Sequence, residues 1–209
     1  MVTPSPPEPF NPHTVTLPAG SQLVRVFNNA PGRTAAIFNP GLGPGGRFSF
    51  FGSPPVPVLY AAQTQEAAIC ETLLHDVPVT GGVLFPEDYE NKVAARLSTT
   101  RDLRLASFLG TGLRALRIEA AQLADTTASE YPRTVGWAEA AHRCGLDGVA
   151  WMSKRCNSDR AYVLFGDRLT STDLEIDPTY GRIFATGADL DWLIDFCAGL
   201  HVDVLAPRV

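Results

Sequence analysis

Paired cysteines, long apolar runs and clustered basic charge are all missing from this 209-residue chain. The four cysteines, Cys70, Cys144, Cys156 and Cys197, are widely spaced with no C-x-x-C pair, which argues against a disulfide framework or a zinc knuckle and for thiols packed as small apolar groups. No stretch of about 18 uninterrupted apolar residues suggests a membrane span. Residues 1–18 lack the basic and apolar regions of a secretory signal, so a soluble, cytoplasmic protein is expected. Only 17 residues are Lys or Arg against 22 Asp or Glu, and the basic residues are scattered. A net charge of −5 disfavours direct contact with nucleic acid.

What is present is an ordinary globular composition, 45% hydrophobic and 19% charged, enough for one domain with a real core. Residues 1–21 carry six prolines and read as a Pro-rich, extended N-terminal extension, leaving 22–209 as the folded domain. Strands are expected near residue 23 and over 48–51, 56–62, 93–98, 103–107, 113–118, 148–153 and 161–165, the last a continuous apolar run suited to a central strand. Thr64 can cap a helix running to about His75. Pro132 opens a second helix that Gly145 stops, and 189–198 fit a third. Strands and helices mixed without a regular βαβ repeat indicate an α+β domain. Residues 28–46, dense in Gly, Pro and Asn, form a long loop expected to cross a functional site.

The most informative residue is Arg25, in the apolar strand Leu23-Val24-Arg25-Val26-Phe27. Strand alternation places it on the face of Leu23 and Phe27, where a fixed positive charge calls for an anionic or hydrogen-bonding partner. A second arginine follows two glycines in Gly45-Gly46-Arg47. Glycines allow close backbone approach and a guanidinium offers a fork to phosphate, so Arg25 and Arg47 could clamp a diphosphate. The sequence around them matches neither the dinucleotide-binding glycine pattern nor the Walker pattern. Glu71 falls at the border of the apolar arc of its helix, suited to a cleft. Tyr60 alone reads as a strand-face aromatic, and Ser153, closing the run Val149-Ala150-Trp151-Met152, as the start of a turn. Glu71 and His75, at i and i+4, have the spacing of two metal ligands but no third nearby in sequence. No G-x-S-x-G elbow supports a serine hydrolase.

In this order and spacing the residues resemble the RES domain family, named for arginine, glutamate and serine. The matching pattern is Arg25, the approach to Gly45-Gly46-Arg47, Leu59-Tyr60-Ala61-Ala62, and a helix with Glu71 and His75. It continues with Thr134-Val135-Gly136-Trp137-Ala138, the segment ending at Ser153, and Val163-Leu164-Phe165-Gly166-Asp167-Arg168. It spans roughly residues 22–170. Where the family commonly continues G-G-R with Trp-Asn, this chain has Phe48-Ser49, which keeps an aromatic but loses the amide.

The resemblance implies a single domain similar to the ADP-ribosyltransferase fold, with mixed small sheets flanked by helices. It implies an enzyme that degrades NAD as substrate by cleaving the nicotinamide–ribose bond, with water or inorganic phosphate as co-substrate and no metal. It further implies a toxin of a type II toxin–antitoxin pair, held by an Xre-like antitoxin or an immunity protein, with self-association inside such a complex left open. Carried onto this chain, Arg25, Tyr60, Glu71 and Ser153 are the expected catalytic set, and Gly46, Arg47 and Phe48 the expected NAD-binding neighbours. Glu71 is expected to stabilise positive charge on the ribose and Ser153 to hydrogen-bond the substrate. Transfer of ADP-ribose to a protein, or a catalytically silent module of the same fold, are the alternatives.

Overall fold

In the computed structural model, which describes residues 2–206, the apolar runs of the sequence become the inner strands of one large sheet. The chain enters through β1 (Thr14–Leu17) and β2 (Gln22–Asn28), crosses the long loop to β3 (Val58–Ala62), and turns into helix α1 (Gln65–Thr72). A short strand β4 (Gly82–Leu84) and helix α2 (Pro86–Tyr89) precede β5 (Lys92–Thr99) and β6 (Leu103–Phe108), which follow one another in sequence but lie apart in the sheet. Then follow α3 (Thr111–Ala115), α4 (Tyr131–Arg143), β7 (Gly148–Met152), β8 (Arg160–Phe165), β9 (Leu174–Ile183), α5 (Gly187–Ala198) and β10 (Val202–Val204).

Eight strands form one sheet in the order β1-β6-β7-β8-β3-β2-β5-β9, with β10 and β4 as a separate parallel pair. The expectation of mixed small sheets is therefore corrected to one dominant sheet. That sheet has a seam. β2 pairs with β5 over seven residues and β3 with β8 over five, but β2 and β3 meet only at Val24 and Ala62. Beyond that pair the two strands part.

Alternation sorts the core onto the two sheet faces. One face carries Trp151, Val163, Phe165 and Phe108 under Trp137 and Ala138 of α4, and farther along Val24, Val26 and Ala62 under α1 and α5. The other carries Leu23, Leu59, Leu105, Ala150 and Leu164, covered by Ala35 and Ala36 of the long loop.

Several elements differ from the sequence expectation. Residues 48–51 are a turn rather than a strand: Ser49 N–H donates to Gly46 O and both Phe48 and Phe51 are buried, a spacing of three that a strand cannot place on one face. Residues 113–118 hold the end of α3 and a turn, with Leu113 and Leu116 both inward. Helix α1 ends at Thr72, before His75. The N-terminal segment is extended but bound to the domain, with β1 paired to β6, Phe10 edge-on to Trp137, and Trp137 Nε1 donating to Pro4 O at 2.8 Å.

Candidate functional site

The parting of β2 and β3 opens a cleft of about 970 Å³ whose lining includes Arg25, Gly46, Arg47, Tyr60, Glu71 and Tyr131. A smaller hollow of about 140 Å³ shares Arg47, Glu71 and Tyr131 with it and adds Lys154 and Arg155. Five of the seven residues singled out in the sequence thus reach one cavity, and two do not.

Arg25 stands on the sheet face of Leu23 and Phe27, its guanidinium carbon 5.3 Å from the Phe27 ring centre. Its Nη1 donates to Ala35 O at 2.6 Å and Ile37 O at 2.7 Å. Burial, with Arg33 nearby, lowers the guanidinium to about 10, so it stays charged at neutral pH. The strand arginine is answered by loop carbonyls rather than by an anion, and it ties the long loop to β2. It reaches the cleft from the face opposite Tyr60, because the seam lets both faces open onto one space.

Arg47 fits the requirement for an anion better. It is 5% exposed, and its only side-chain hydrogen bond among the described residues runs from Nη2 to Thr126 O at 3.2 Å. Its Nε is buried with no acceptor among the described residues, as is Trp151 Nε1, and both residues line the cleft. Among the described residues neither Arg25 nor Arg47 forms an ion pair. A buried cation without a carboxylate, beside a second unmatched donor, suits a ligand carrying negative oxygens.

The Gly-Gly approach serves a protein contact. A Cβ at Gly46 would lie 2.9 Å from Tyr60 Oη, and one at Gly45 2.5 Å from Ser49 O. The Tyr60 hydroxyl accepts from Phe48 N–H at 3.0 Å and donates to Ser49 Oγ at 3.1 Å, and Ser49 Oγ accepts from Gly46 N–H at 3.1 Å. Burial pushes the Tyr60 phenol up to about 12, partly offset by these bonds, so it remains a neutral donor. Ser49 therefore makes the polar contacts that the missing amide left in question. The Phe48 ring is fully buried between Phe108 and Trp151, at 5.5 Å and 5.0 Å between ring centres, so its side chain faces the core and not the cleft. That corrects its expected place as a ligand-binding residue.

Glu71 closes the floor. Thr64 caps α1 by accepting Ala67 N–H at 3.2 Å, and the buried run Ala67–Cys70 holds the helix against β2 and β3, leaving Glu71 half-buried at the cleft wall. Ser153, fully buried at the end of β7, donates its hydroxyl to Glu71 Oε1 at 2.7 Å and accepts Cys156 N–H at 3.3 Å. Ser153 is not among the residues that line the cleft; its hydroxyl meets the Glu71 carboxylate, the one expected catalytic residue that the structure places behind the wall.

His75 does not join Glu71 as a ligand pair, since its ring nitrogens meet Asp76 and Tyr131. No group of three or more His, Cys, Asp or Glu among the described residues is arranged to hold a metal. Sequence reasoning missed Ser49, Trp151 and Tyr131. Only Ser49, two positions after the glycine-arginine triplet, carried a local signal.

A family model described as the RES domain matches residues 22–183. The chain belongs to the RES domain family. Among solved structures, this RES domain is similar to a chain of the M. tuberculosis MbcT-MbcA toxin-antitoxin complex, with a TM-score of 0.54 and 17% identity over 79% of this chain and 85% of that one. The likeness is one of fold: a single α+β domain. No curated protein matches in sequence. Among the described residues of the RES domain and its flanks, no helix is long and apolar enough to cross a membrane.

Proposed function

We propose that this chain is an NAD-degrading enzyme that cleaves the nicotinamide–ribose bond, by hydrolysis or phosphorolysis, on a fold of ADP-ribosyltransferase type. One observation carries the reading. The Glu71 carboxylate, held by Ser153 at 2.7 Å, shares a cleft with the buried guanidinium of Arg47, which has no carboxylate partner among the described residues. Departure of neutral nicotinamide leaves positive charge on the ribose, and a fixed carboxylate stabilises that charge. Arg47 matches the pyrophosphate through charge-assisted hydrogen bonds, with Arg25 at the loop side of the same cleft. Tyr60 shapes the wall and, through Ser49 and Phe48, fixes the backbone from which Arg47 projects.

The family supports a role as the toxin of a type II toxin–antitoxin pair acting on cytoplasmic NAD. The origin of the similar M. tuberculosis chain in a toxin-antitoxin complex supports a cognate antitoxin as partner, proposed to be of Xre-like type. Ser49, by satisfying Gly46 and Tyr60, removes the main ground for a catalytically silent module.

Purified protein is expected to convert NAD to nicotinamide plus ADP-ribose, or its phosphate when phosphate is supplied. Glu71→Gln, which can still accept from Ser153, is expected to lower the rate about 100-fold to 10,000-fold with the circular-dichroism spectrum unchanged. Unaltered turnover in that variant removes Glu71 from the mechanism.

A further inference from the structure

The same cleft holds a second row of titratable groups. Asp76 Oδ1 lies 2.8 Å from His75 Nδ1, and His75 Nε2 lies 2.7 Å from the Tyr131 hydroxyl. A carboxylate can only accept, so Nδ1 carries the proton and Nε2 is left to accept the phenolic hydrogen. A hydroxyl within reach of a base, with that base oriented by a third group, is the arrangement of an activated nucleophile. Burial raises Tyr131, chiefly against the opposing pull of Arg47, whose guanidinium carbon lies 5.6 Å from its ring centre. The phenol therefore stays protonated until a base removes its hydrogen.

Around His75 stand Asp76 on its own segment and Tyr131 at the start of α4. Glu71, Arg47, Lys154 and Arg155 face the shared hollow, and Arg155 donates to the His75 carbonyl at 3.2 Å and 3.3 Å. Tyr131 and Glu71 line both the cleft and the hollow, so the carboxylate and the phenol face the same space.

We infer that Tyr131 is the nucleophile that first captures the ribose, so that cleavage runs through a covalent ADP-ribosyl–tyrosine. This rests on the NAD-cleaving reading of the site. Tyr131 Oη bonds to the anomeric carbon as the carbon–nitrogen bond breaks and its electron pair leaves on neutral nicotinamide. The phenolic proton passes to His75 Nε2, and Asp76 balances the imidazolium. Water or another acceptor then attacks the same carbon as the bond from that carbon to Tyr131 Oη breaks; Tyr131 takes its proton back from His75, and the proton of the acceptor passes to solvent, one per turnover. A tyrosine nucleophile paired with acidic residues is an established solution at an anomeric carbon.

Two displacements retain configuration, whereas one inverts it. Wild-type protein incubated with β-NAD in aqueous methanol is therefore expected to give the β-methyl glycoside of ADP-ribose, read by proton NMR. Tyr131→Phe is expected to lose at least about 100-fold in nicotinamide release while keeping its circular-dichroism spectrum. If that variant does not fold, peptide mapping of acid-quenched wild-type protein locates the trapped ADP-ribose, expected on Tyr131. An inverted α-glycoside, an adduct on another residue, or a fully active Tyr131→Phe overturns the tyrosine step and leaves the NAD reading standing. Absence of any NAD loss from the wild type takes both down.

Discussion

At Gly46 a hydrogen atom occupies a place that no other side chain can share, because a Cβ there lies 2.9 Å from Tyr60 Oη and 3.2 Å from Tyr60 Cζ. Tyr60 is a half-buried strand residue packed against the core, with its hydroxyl hydrogen-bonded to Phe48 N–H and Ser49 Oγ, so it does not swing aside as freely as a surface chain would. Gly46→Ala is expected to cost about 1–3 kcal/mol, read as a lower urea midpoint at unchanged slope. Combined with Tyr60→Phe, which deletes the nearer atom, the loss is expected to be smaller than the sum of the two singles. Additivity shows that the two residues do not meet. The same residue-level accounting separates the arginines. Arg25 is matched by two loop carbonyls, while Arg47 keeps a buried Nε without an acceptor. The anion inferred from the strand arginine belongs more to the arginine after the glycines.

Helix α1 carries Glu71 on only eight residues, a length that is marginal without packing and caps. Thr64→Ala removes the side-chain acceptor for Ala67 N–H and is expected to lower stability by about 0.5–2 kcal/mol in denaturant titration. It is also expected to lower NAD turnover more than that loss of folded protein explains, because fraying shifts Glu71 against Ser153. Thr64→Ser, which restores the acceptor, is expected to recover both; recovery of neither means that the cap does not govern this helix. The cap was legible in the sequence, as were the inner strands β7 and β8, because local chemistry and apolar runs decide them. The turn at residues 48–51 was not, since Phe48 and Phe51 imitate a strand while Ser49 is held by Gly46 and Tyr60. Strand β9, an edge strand with Pro178 and mostly exposed side chains, lacks the apolar signal that marks inner strands. Of the site, Glu71 could be read from its place on a helix border. Its partner Ser153 lies 82 positions away and the His75–Tyr131 pair 56 apart, contacts that only the folded chain creates.

For the molecule as a whole, the seam shapes the cleft. Strands β1, β6, β7, β8 and β3 form one paired block and β2, β5 and β9 another, joined in register only at Val24 and Ala62. Tyr60 belongs to the first block, Arg25 to the second, and Arg47 to the loop that links them, so a ligand in the cleft touches both blocks. Binding there adds free energy that is absent from the unfolded chain, about 2.7 kcal/mol at a hundredfold excess over Kd. For a domain of this size that corresponds to roughly 5–10 °C in Tm. Glu71→Gln, slow to turn over and still held by Ser153, is the form in which to measure it with NAD. Its Tm is expected to rise by that amount, and amide hydrogen exchange is expected to slow at Val26 and Tyr60, which line the cleft beyond the Val24–Ala62 pair. Protection confined to the distant β4–β10 pair, with none along the seam, would place the ligand elsewhere and detach Arg47 and Glu71 from it.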